Sequence, residues 1–278
     1  MNYAFYNGEY APQNELKISL YDRSIFFGDG VYDCIIGGKR GVYQLHKHLN
    51  RLRTNTKALY LDFPYSDDEL CDIIGKLICL SKLECFIIYI SVSRYAVERK
   101  HYCPDFNRSN LLITISKAEF NLENKPISLL TCEDIRHRMC NVKTLNLLPS
   151  VLAARYAEVD GCEETVFMRN GIVTECAHSN ISIMKDGALY THPLSRDILP
   201  GITRENLIHV CKEMGIQVNE ICFYYDELIS ADEVIVTSTT HFARRAEKID
   251  KISINYSQKS PFSEISRRLY ADFLESCC

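Results

Sequence analysis

The spacing of hydrophobic and polar positions in the first half of the chain predicts two amphipathic helices followed by two strands. Within residues 44–61, leucines recur at the spacing that places them on one helical face. Ser66 and Glu69 have the spacing of a capping box and precede a second apolar stripe. Residues 85–94 and 110–116 are rich in β-branched and aromatic side chains, which favour strands.

The second half of the chain alternates further helices with hairpins. Pro149 suits the first turn of a helix, and Gly161 suits the position just past its end. The dipeptides Asn170-Gly171 and Asp186-Gly187 favour the tight type I′ turns of β-hairpins. The remaining predicted elements are a strand at 127–132, a helix at 201–215, a strand at 232–240 and a final helix that buries Ile265, Leu269 and Phe273.

A polar, turn-rich stretch divides the chain into two parts of ordinary domain size. The 278 residues are enough for two modest domains. We predict a small N-terminal α/β domain over residues 1–118, a linker at 119–126, and a larger C-terminal domain over residues 127–278. Helices and strands are mixed in both parts, so the predicted fold class is α/β.

Composition and charge narrow the class of protein. Hydrophobic residues make up 46% of the chain and charged residues 24%, so a packed core is available and disorder is not expected. The net charge of −4, without blocks of like charge, argues against a nucleic-acid or anionic-membrane partner. The N-terminus lacks the pattern of a signal peptide, and no apolar run approaches the ~20 residues that span a bilayer.

The cysteines and histidines give no sign of a structural metal or of disulfides. The thirteen cysteines form no C-x-x-C pair and have irregular spacing, which argues against a disulfide framework and a zinc site. His46 and His48 would point to different faces of the predicted helix, so we expect no metal. The expectation from these features is a soluble protein of the reducing cytoplasm.

Two polar clusters have the chemistry to bind an anion. Gly201, Ile202 and Thr203 stand at a predicted helix N-terminus, where backbone N–H groups and the helix dipole favour negative charge. Residues 237–240 place four hydroxyls at the end of a strand. Taken alone, each cluster is more simply a helix cap or a polar loop, but together they suggest a phosphate site. The glycine-rich loop of nucleotide hydrolases is absent, and the GDG at 28–30 does not supply it.

Lys143 is the third candidate for chemistry. It lies in a mostly apolar stretch and has no acidic residue within five positions. Such a lysine either extends its amine to the surface or is held, with a lowered pKa, for covalent chemistry with carbonyl groups. The residues around Lys143 leave both interpretations open.

Several segments occur along the chain in the order seen in one enzyme family. They are DRSIFFGDGVYD (22–33), HLNRL (48–52), ERKH (98–101), VKTLNLLPSVLA (142–153), NGIVTECAHSNISI (170–183), LPGITRENLI (199–208) and DEVIVTSTT (232–240). With them the chain resembles the fold-type IV pyridoxal-phosphate enzymes, which include D-amino-acid and branched-chain aminotransferases and aminodeoxychorismate lyases. The likeness is greatest to the aminotransferases that act on D-amino acids. The resemblance implies pyridoxal 5′-phosphate as cofactor and a larger domain with a pseudo-barrel sheet.

The resemblance also implies a role for each matching residue. Lys143 matches the lysine that forms a Schiff base with the cofactor and moves protons during catalysis. Glu175 matches the acid that pairs with the pyridine nitrogen, and Arg51 matches the arginine that binds the phosphate. The other positions that match cofactor-binding residues are Leu199 against the ring face and Ile202, Thr203, Ser238 and Thr239 around the phosphate.

Three further positions match residues that bind the substrate carboxylate in D-amino-acid aminotransferases. They are Tyr32 and the Arg99 and His101 of an R-x-H loop. In that family the arginine and histidine come from the neighbouring subunit, so the resemblance implies a homodimer. Fixing the carboxylate on one side of the site decides which enantiomer presents its Cα–H to the lysine, which implies transamination of D-amino acids with a 2-oxo acid acceptor.

Alternatives to this function remain open at the level of sequence. The same site could serve an aminodeoxychorismate lyase, a branched-chain aminotransferase or an (R)-amine aminotransferase. A protein that binds the cofactor without turnover is a further alternative, against which the intact Lys143, Glu175 and Arg51 argue.

Two departures from the family pattern lie beside the expected site. Cys176, Ala177 and His178 stand where a glycine and serines are usual, and the basic run HFARR that begins at His241 replaces a smaller, more apolar stretch leading to a proline. These changes leave the substrate range open. Because Cys140 lies three residues before Lys143 and Cys176 directly follows Glu175, the sequence also predicts that alkylation of thiols inhibits the protein and that bound cofactor protects it.

Overall fold

The protein consists of two compact units, each with its own sheet. The structure, a computed structural model, describes residues 1–102, 108–120, 125–256 and 260–277. The first unit comprises Met1–Phe120, Val142–Asn146 and the end of the chain from Leu274, and the second comprises the remainder. The predicted linker at 119–126 falls partly on residues 121–124, which lie outside the described residues.

The first unit contains a six-stranded antiparallel sheet with helices. Along the sheet the strand order is β2-β1-β6-β5-β3-β4. Its core is formed by the inward side chains of the long strands and by the apolar faces of α2 and α3. The elements are β1 (Tyr3–Tyr6), β2 (Glu9–Pro12), α1 (Arg23–Phe27), β3 (Gly30–Gly38), β4 (Gly41–Val42), α2 (Leu45–Ala58), α3 (Asp67–Ser81), β5 (Cys85–Arg94) and β6 (Ser109–Lys117).

The second unit is built on a sheet of nine described strands. Its elements are β7 (Ile127–Glu133), α4 (Leu148–Asp160), β8 (Glu164–Arg169), β9 (Ile172–Cys176), β10 (Asn180–Lys185), β11 (Ala188–Thr191), α5 (Ile202–Glu213), β12 (Val218–Glu220), α6 (Tyr225–Ile229), β13 (Glu233–Ser238), β14 (Phe242–Ile249), β15 (Ile252–Ser253) and α7 (Phe262–Cys277). The order β12-β11-β10-β13-β14-β7-β8-β9 places β9 at one end, with β15 paired to β14. Because β9 leads within a few residues into β10, the strands from β10 to β9 in this order curl back on themselves. The predicted α/β class with a barrel-like sheet is confirmed.

Local sequence signals account for many of the element boundaries. Ser66 and Glu69 form the predicted capping box at the start of α3. Gly161 ends α4 with φ of 77°, in the left-handed region. Both predicted hairpin turns have positive φ at their two central residues, as type I′ turns require; these are Asn170 and Gly171, and Asp186 and Gly187.

One short segment belongs to a different unit from the rest of its neighbourhood in the chain. Residues 142–146 were expected in the C-terminal domain, but they cluster with the first unit. Val142 is 5% exposed and packs into the core of the first unit.

Among the described residues, no helix is both long and apolar enough to cross a membrane.

Candidate active site

Lys143 is held by backbone pairing with the first residues of β3. The N–H of Tyr32 donates to the carbonyl of Lys143 at 2.9 Å, and Val31 and Thr144 form an antiparallel bridge. The N–H of Leu145 donates to the carbonyl of Gly30 at 3.0 Å. The backbone of Lys143 is therefore held in place by hydrogen bonds to β3, as in a paired strand.

The glycine at position 30 allows this close approach. A Cβ added to Gly30 would lie 2.6 Å from the carbonyl oxygen of Val92 and 2.8 Å from Cδ1 of Leu145. Gly28 ends α1 with φ of 59°, and its carbonyl accepts from the side chain of Asn146 at 3.0 Å. The GDG motif thus seats the segment that carries Lys143, which is a packing role and not a nucleotide-binding one.

The amine of Lys143 lies over an aromatic ring. Its Nζ is 4.4 Å from the centroid of the Tyr32 ring, a cation–π distance, and that ring stacks on Tyr89 at 5.1 Å. Burial raises the pKa of the neighbouring Cys34 thiol to about 11, although the Lys143 charge opposes this. The structure thus brings two of the predicted site residues together, Lys143 and Tyr32.

Arg51 is oriented by a buried carboxylate. Asp33, which is fully buried, accepts from Nε of Arg51 at 2.8 Å and from Nη2 at 2.7 Å. His48, 1% exposed, lies with Nδ1 at 2.7 Å from the same carboxylate. Two parallel bonds from one guanidinium fix its plane as well as its position.

The charges of this trio are set by their surroundings. Burial raises the pKa of Asp33, but Arg51 and His48 outweigh that effect and hold the pKa well below its usual range. Burial lowers the pKa of His48, against the Asp33 carboxylate, and the charges of Arg51 and Lys143 lower it further. The lowered pKa of Asp33 favours its carboxylate form beside Arg51, and the lowered pKa of His48 favours the neutral imidazole, which can donate to Asp33 through Nδ1.

The R-x-H loop displays its two polar side chains at the surface of the first unit. Arg99 and His101 are both exposed. The guanidinium carbon of Arg99 lies 5.3 Å from the ring centroid of Phe27, and the His101 ring lies 5.4 Å from the same centroid. Residues 103–107, which follow, lie outside the described part of the chain.

In the second unit, Glu175 near the end of β9 is surrounded by hydrogen-bond donors. Oε1 accepts from Nη1 of Arg136, and Oε2 accepts from Nδ2 of Asn180 and from the N–H of Leu199, both at 2.9 Å. Glu175 is 5% exposed. Three donors, one of them a guanidinium, stabilise the ionised form of this carboxylate.

Arg136 belongs to a wider ionic network. Its Nε and Nη2 donate to the two carboxylate oxygens of Asp134 at 2.9 and 2.8 Å. Its guanidinium carbon lies 4.5 Å from the Phe167 ring centroid, and the Thr174 hydroxyl donates to Asp134 at 3.1 Å. Arg136 therefore links Glu175 to a second buried carboxylate and to an aromatic face.

The N-terminus of α5 is adapted to an anion. Its first turn contains Ile202 and Thr203, and its N-cap residue, Gly201, has no side chain to accept from the first N–H groups. A Cβ on Gly201 would overlap Oδ1 of Asn180, so only glycine fits there. Because the helix has 12 residues, its N–H groups and dipole provide a real preference for negative charge.

Asn180 connects the predicted residues of the second unit. Besides Glu175 it contacts the carbonyl of Leu199 at 3.0 Å, and it pairs in register with Thr237 on β13. Ser238 ends β13, and Thr239 begins the following turn. The structure therefore groups the acid, the start of α5 and the hydroxyl-rich strand end around one amide.

The departures near Glu175 form a separate cluster. His178 lies with Nδ1 at 2.9 Å from Oε2 of Glu164, and the Ser179 hydroxyl donates to the same oxygen at 3.0 Å. Burial lowers the pKa of His241, with further lowering from Arg244 and His178 and an opposing effect of Glu164. His178 thus contacts the buried Glu164 carboxylate, and the pKa of His241 is influenced by the charge of the same carboxylate.

The burial of Cys176 argues against the predicted sensitivity of the folded protein to alkylation. Cys176 is 1% exposed, and burial raises the pKa of its thiol well above the usual value. Cys140, near Lys143 in the chain, is 7% exposed, and burial raises its pKa as well. A buried thiol with a high pKa presents neither access nor thiolate to a reagent.

Sequence reasoning did not identify Asp33, Arg136 and Asn180. Asp33 and Arg136 contact their partners only because strands and helices far apart in the chain pack together. Asp33 and Asn180 both lie within matched segments, but nothing in the sequence indicates the partners of their side chains. The first unit thus presents the Lys143 amine and the Arg51 guanidinium, and the second unit presents the Glu175 carboxylate and the N-terminus of α5.

Comparisons with known proteins agree with these observations. The family model described as "Amino-transferase class IV" matches residues 30–249. A D-alanine aminotransferase of Staphylococcus haemolyticus is 34% identical over 280 residues, which cover 99% of this chain and 99% of the relative. The branched-chain amino acid aminotransferase of Escherichia coli matches with a TM-score of 0.88 at 23% identity, covering 100% of this chain and 96% of that one. A T.th. branched-chain amino acid aminotransferase with pyridoxamine 5′-phosphate matches with a TM-score of 0.86 at 23% identity, covering 98% and 93%.

Proposed function

The chain belongs to the class IV aminotransferases, and we propose that it transfers amino groups between D-amino acids and 2-oxo acids. Pyridoxal 5′-phosphate is the cofactor of this family and of this chain. The observation that carries the choice of D-amino acids is that Tyr32 lies against Lys143 while Arg99 and His101 are retained. A D-alanine aminotransferase at 34% identity over the full length supports the same choice.

The first unit would supply the proton carrier and a phosphate ligand. When bound, pyridoxal phosphate acts as an electron sink for the charge left at the substrate Cα. Lys143 is proposed to remove the proton at Cα and to deliver it to C4′ of the cofactor. Arg51, held in one plane by Asp33, is proposed to bind two phosphate oxygens.

The second unit would hold the ring and the rest of the phosphate. Glu175 is proposed to accept from the pyridine N–H through a carboxylate that Arg136, Asn180 and Leu199 keep ionised and in place. The N–H groups of Ile202 and Thr203 are proposed to donate to the phosphate, with the hydroxyls of Ser238 and Thr239 beside them. Leu199 is proposed to pack against the ring.

We also propose that the active form is a homodimer. Helix α4 buries Ala153 and Ala157 within the second unit, while its opposite face exposes five large apolar side chains around Arg155. Contiguous exposed apolar surface of this kind marks an interaction site. The exposed residues of that face are Leu148, Val151, Leu152, Tyr156 and Val159.

The dimer is tested by light scattering after size exclusion. The wild-type chain should have twice the mass of one chain. Val151→Glu, which places a charge in the apolar face, should give a monomer, whereas Lys212→Glu on the exposed side of α5 should leave the dimer intact. A dimer that survives Val151→Glu and Val159→Glu together would contradict this interface.

The reaction is tested by single half-reactions of the holoenzyme. D-Alanine, L-leucine and aminodeoxychorismate are mixed separately with the protein, and the visible absorbance of the bound cofactor is followed. We expect conversion by D-alanine and none by L-leucine. A response to L-leucine or aminodeoxychorismate alone would replace the proposal by a branched-chain aminotransferase or a lyase. The absence of any response would indicate a binding protein without turnover, and Lys143→Ala is the inactive control.

A further inference from the structure

We infer that Arg23 is a positioning residue that fixes the R-x-H loop for capture of the substrate carboxylate. The inference rests on the proposed function, because it assumes that Arg99 and His101 bind that carboxylate. It goes beyond it by assigning the geometry of the loop to a residue distant in the chain. The contacts of Arg23 with the backbone of this loop carry the argument.

Arg23 is a buried cation whose three donor nitrogens are all engaged. The residue is 5% exposed. Its Nε donates to Oδ2 of Asp29 at 2.8 Å, Nη1 donates to the carbonyl of Lys100 at 2.6 Å, and Nη2 donates to the carbonyl of His101 at 3.3 Å. One rigid guanidinium therefore holds two consecutive carbonyls of the loop, and Asp29, which also accepts from Arg94, is its anionic partner.

Phe27 packs against the side chains of the same loop. The guanidinium carbon of Arg23 lies 4.6 Å from the centroid of the Phe27 ring. The guanidinium carbon of Arg99 lies 5.3 Å from that centroid, and the ring of His101 lies 5.4 Å from it. The Phe27 ring thus contacts the guanidinium of Arg23 and both side chains of the R-x-H motif.

The helix that carries Arg23 and Phe27 is itself firmly fixed. Asp22 caps α1 by accepting from the N–H of Ser24 at 2.9 Å. The same carboxylate accepts from Ser93 at 2.9 Å and from Asn110 at 2.7 Å, which joins the helix start to β5 and β6. Asp22 therefore fixes α1 relative to the sheet, and Arg23 on α1 fixes the loop.

This fixation matters because Arg99 and His101 are exposed and would otherwise be mobile. Capture of a carboxylate by two side chains gains most when the loop does not have to be ordered at the moment of binding. A lysine at position 23 keeps the charge but has no planar fork to span two carbonyls and Asp29 together. Arg23→Lys should therefore loosen the loop without leaving a buried carboxylate unpaired.

Arg94 provides a matched control for the loss of a buried arginine. It is 8% exposed, and its Nε donates to the same Oδ2 of Asp29 at 3.0 Å. Its other nitrogens donate to the carbonyls of Tyr60 and Leu59 at 3.1 and 2.8 Å, away from the R-x-H loop. Arg94→Lys therefore disturbs the same carboxylate and leaves the loop contacts in place.

The test compares holoenzymes carrying Arg23→Lys, Arg94→Lys, Phe27→Leu and Arg99→Ala. We expect Arg23→Lys to raise the KM for D-alanine about tenfold with little change in kcat, since the lost contact serves ground and transition states alike. Hydrogen exchange of the amides of residues 98–102 should become faster in the same variant. Arg94→Lys should change neither the KM for D-alanine nor the hydrogen exchange of residues 98–102. Its melting temperature should nevertheless fall by about as much as that of Arg23→Lys.

The outcomes separate this inference from the proposed function. Unchanged hydrogen exchange in Arg23→Lys, or an equal rise of KM in Arg94→Lys, would overturn the positioning role. If Arg23→Lys does not fold, Phe27→Leu decides instead, because it removes the ring and no charge; an unchanged KM in that variant overturns the role. An unchanged KM in Arg99→Ala would refute the carboxylate-binding function of the loop itself.

Discussion

Arg136 donates to one carboxylate oxygen of Glu175, on the side opposite to the oxygen that Asn180 and Leu199 hold. The same guanidinium donates through two nitrogens to Asp134. Two buried carboxylates thus share one cation, so the ionised state of Glu175 depends on a residue that does not contact the pyridine ring in the proposed role.

Removing Arg136 should therefore destabilise the protein strongly. Arg136→Gln leaves Glu175 buried without its cationic partner, which typically costs about 3–5 kcal/mol, while Asp134 keeps only Arg169 at 3.1 Å. Urea unfolding of the purified variant gives the free energy of unfolding. Arg138→Gln is the control, because Arg138 is 67% exposed and pairs with Asp197 at the surface, where the loss is below about 1 kcal/mol. Similar losses in the two variants would contradict the network.

Asp33 should control affinity for the phosphate of the cofactor. Asp33→Asn keeps the volume but loses the charge that fixes the plane of Arg51. Binding of pyridoxal phosphate to the apoprotein, followed by absorbance, should weaken about tenfold, as expected for a loss near ~1.4 kcal/mol. Pyridoxal without the phosphate should bind as it does to the wild-type chain. Equal weakening for both compounds would indicate general unfolding and would rule out this role.

Stability should fall on mild acidification, partly through His48. Its pKa in the folded chain is lowered by burial, so the unfolded chain binds more protons as the pH falls below the ordinary value of about 6.5. Melting temperatures from about pH 7.5 to about pH 5.5 should decrease, and His48→Gln should flatten the slope. His137 and His241, whose pKa values burial also lowers, should account for part of the remainder. An unchanged slope in His48→Gln would disprove the contribution.

A second loss of stability is expected at lower pH. Arg51 and His48 hold the pKa of Asp33 below its usual range despite burial, so its contribution is present above about pH 4 and is lost as the pH falls further. Asp33→Asn should remove this second step in the same melting series.

Alkylation should leave the folded enzyme active. Cys79 and Cys222 are exposed, whereas Cys176 is 1% exposed. Iodoacetamide followed by peptide mass analysis should find the first two modified and Cys176 unmodified until urea unfolds the chain. Rapid modification of Cys176 in the folded protein, with loss of activity, would contradict its burial.

The sequence predicts the helices and strands well where the signal is local. The capping box of α3, the glycine that ends α4 and the two type I′ turns each depend on residues within a few positions of one another. These local structures form as predicted because they depend only on residues that are close together in the chain. The matched motifs also predicted the family, which the comparisons confirm.

The features that the sequence did not predict depend on distant packing. Asp33 meets Arg51 because β3 and α2 pack together, and Arg136 meets Glu175 because β7, β8 and β9 adjoin. The burial of Cys176 follows from its place in the curled sheet, and not from its neighbours in the chain. The assignment of individual residues to cofactor and substrate stays a prediction.

The pairing of residues 142–146 with β3 has a consequence for the growing chain. On the ribosome, all six strands of the first sheet have been synthesised by the end of β6, yet Lys143 and its bridge partner Thr144 come later. The last turn of α7, whose Cys277 carbonyl accepts from the N–H of Arg40, follows the strands of the second unit. The first unit is therefore completed only after the strands of the second unit have been synthesised, so a fragment cut after β6 would lack Lys143 together with part of its own packing.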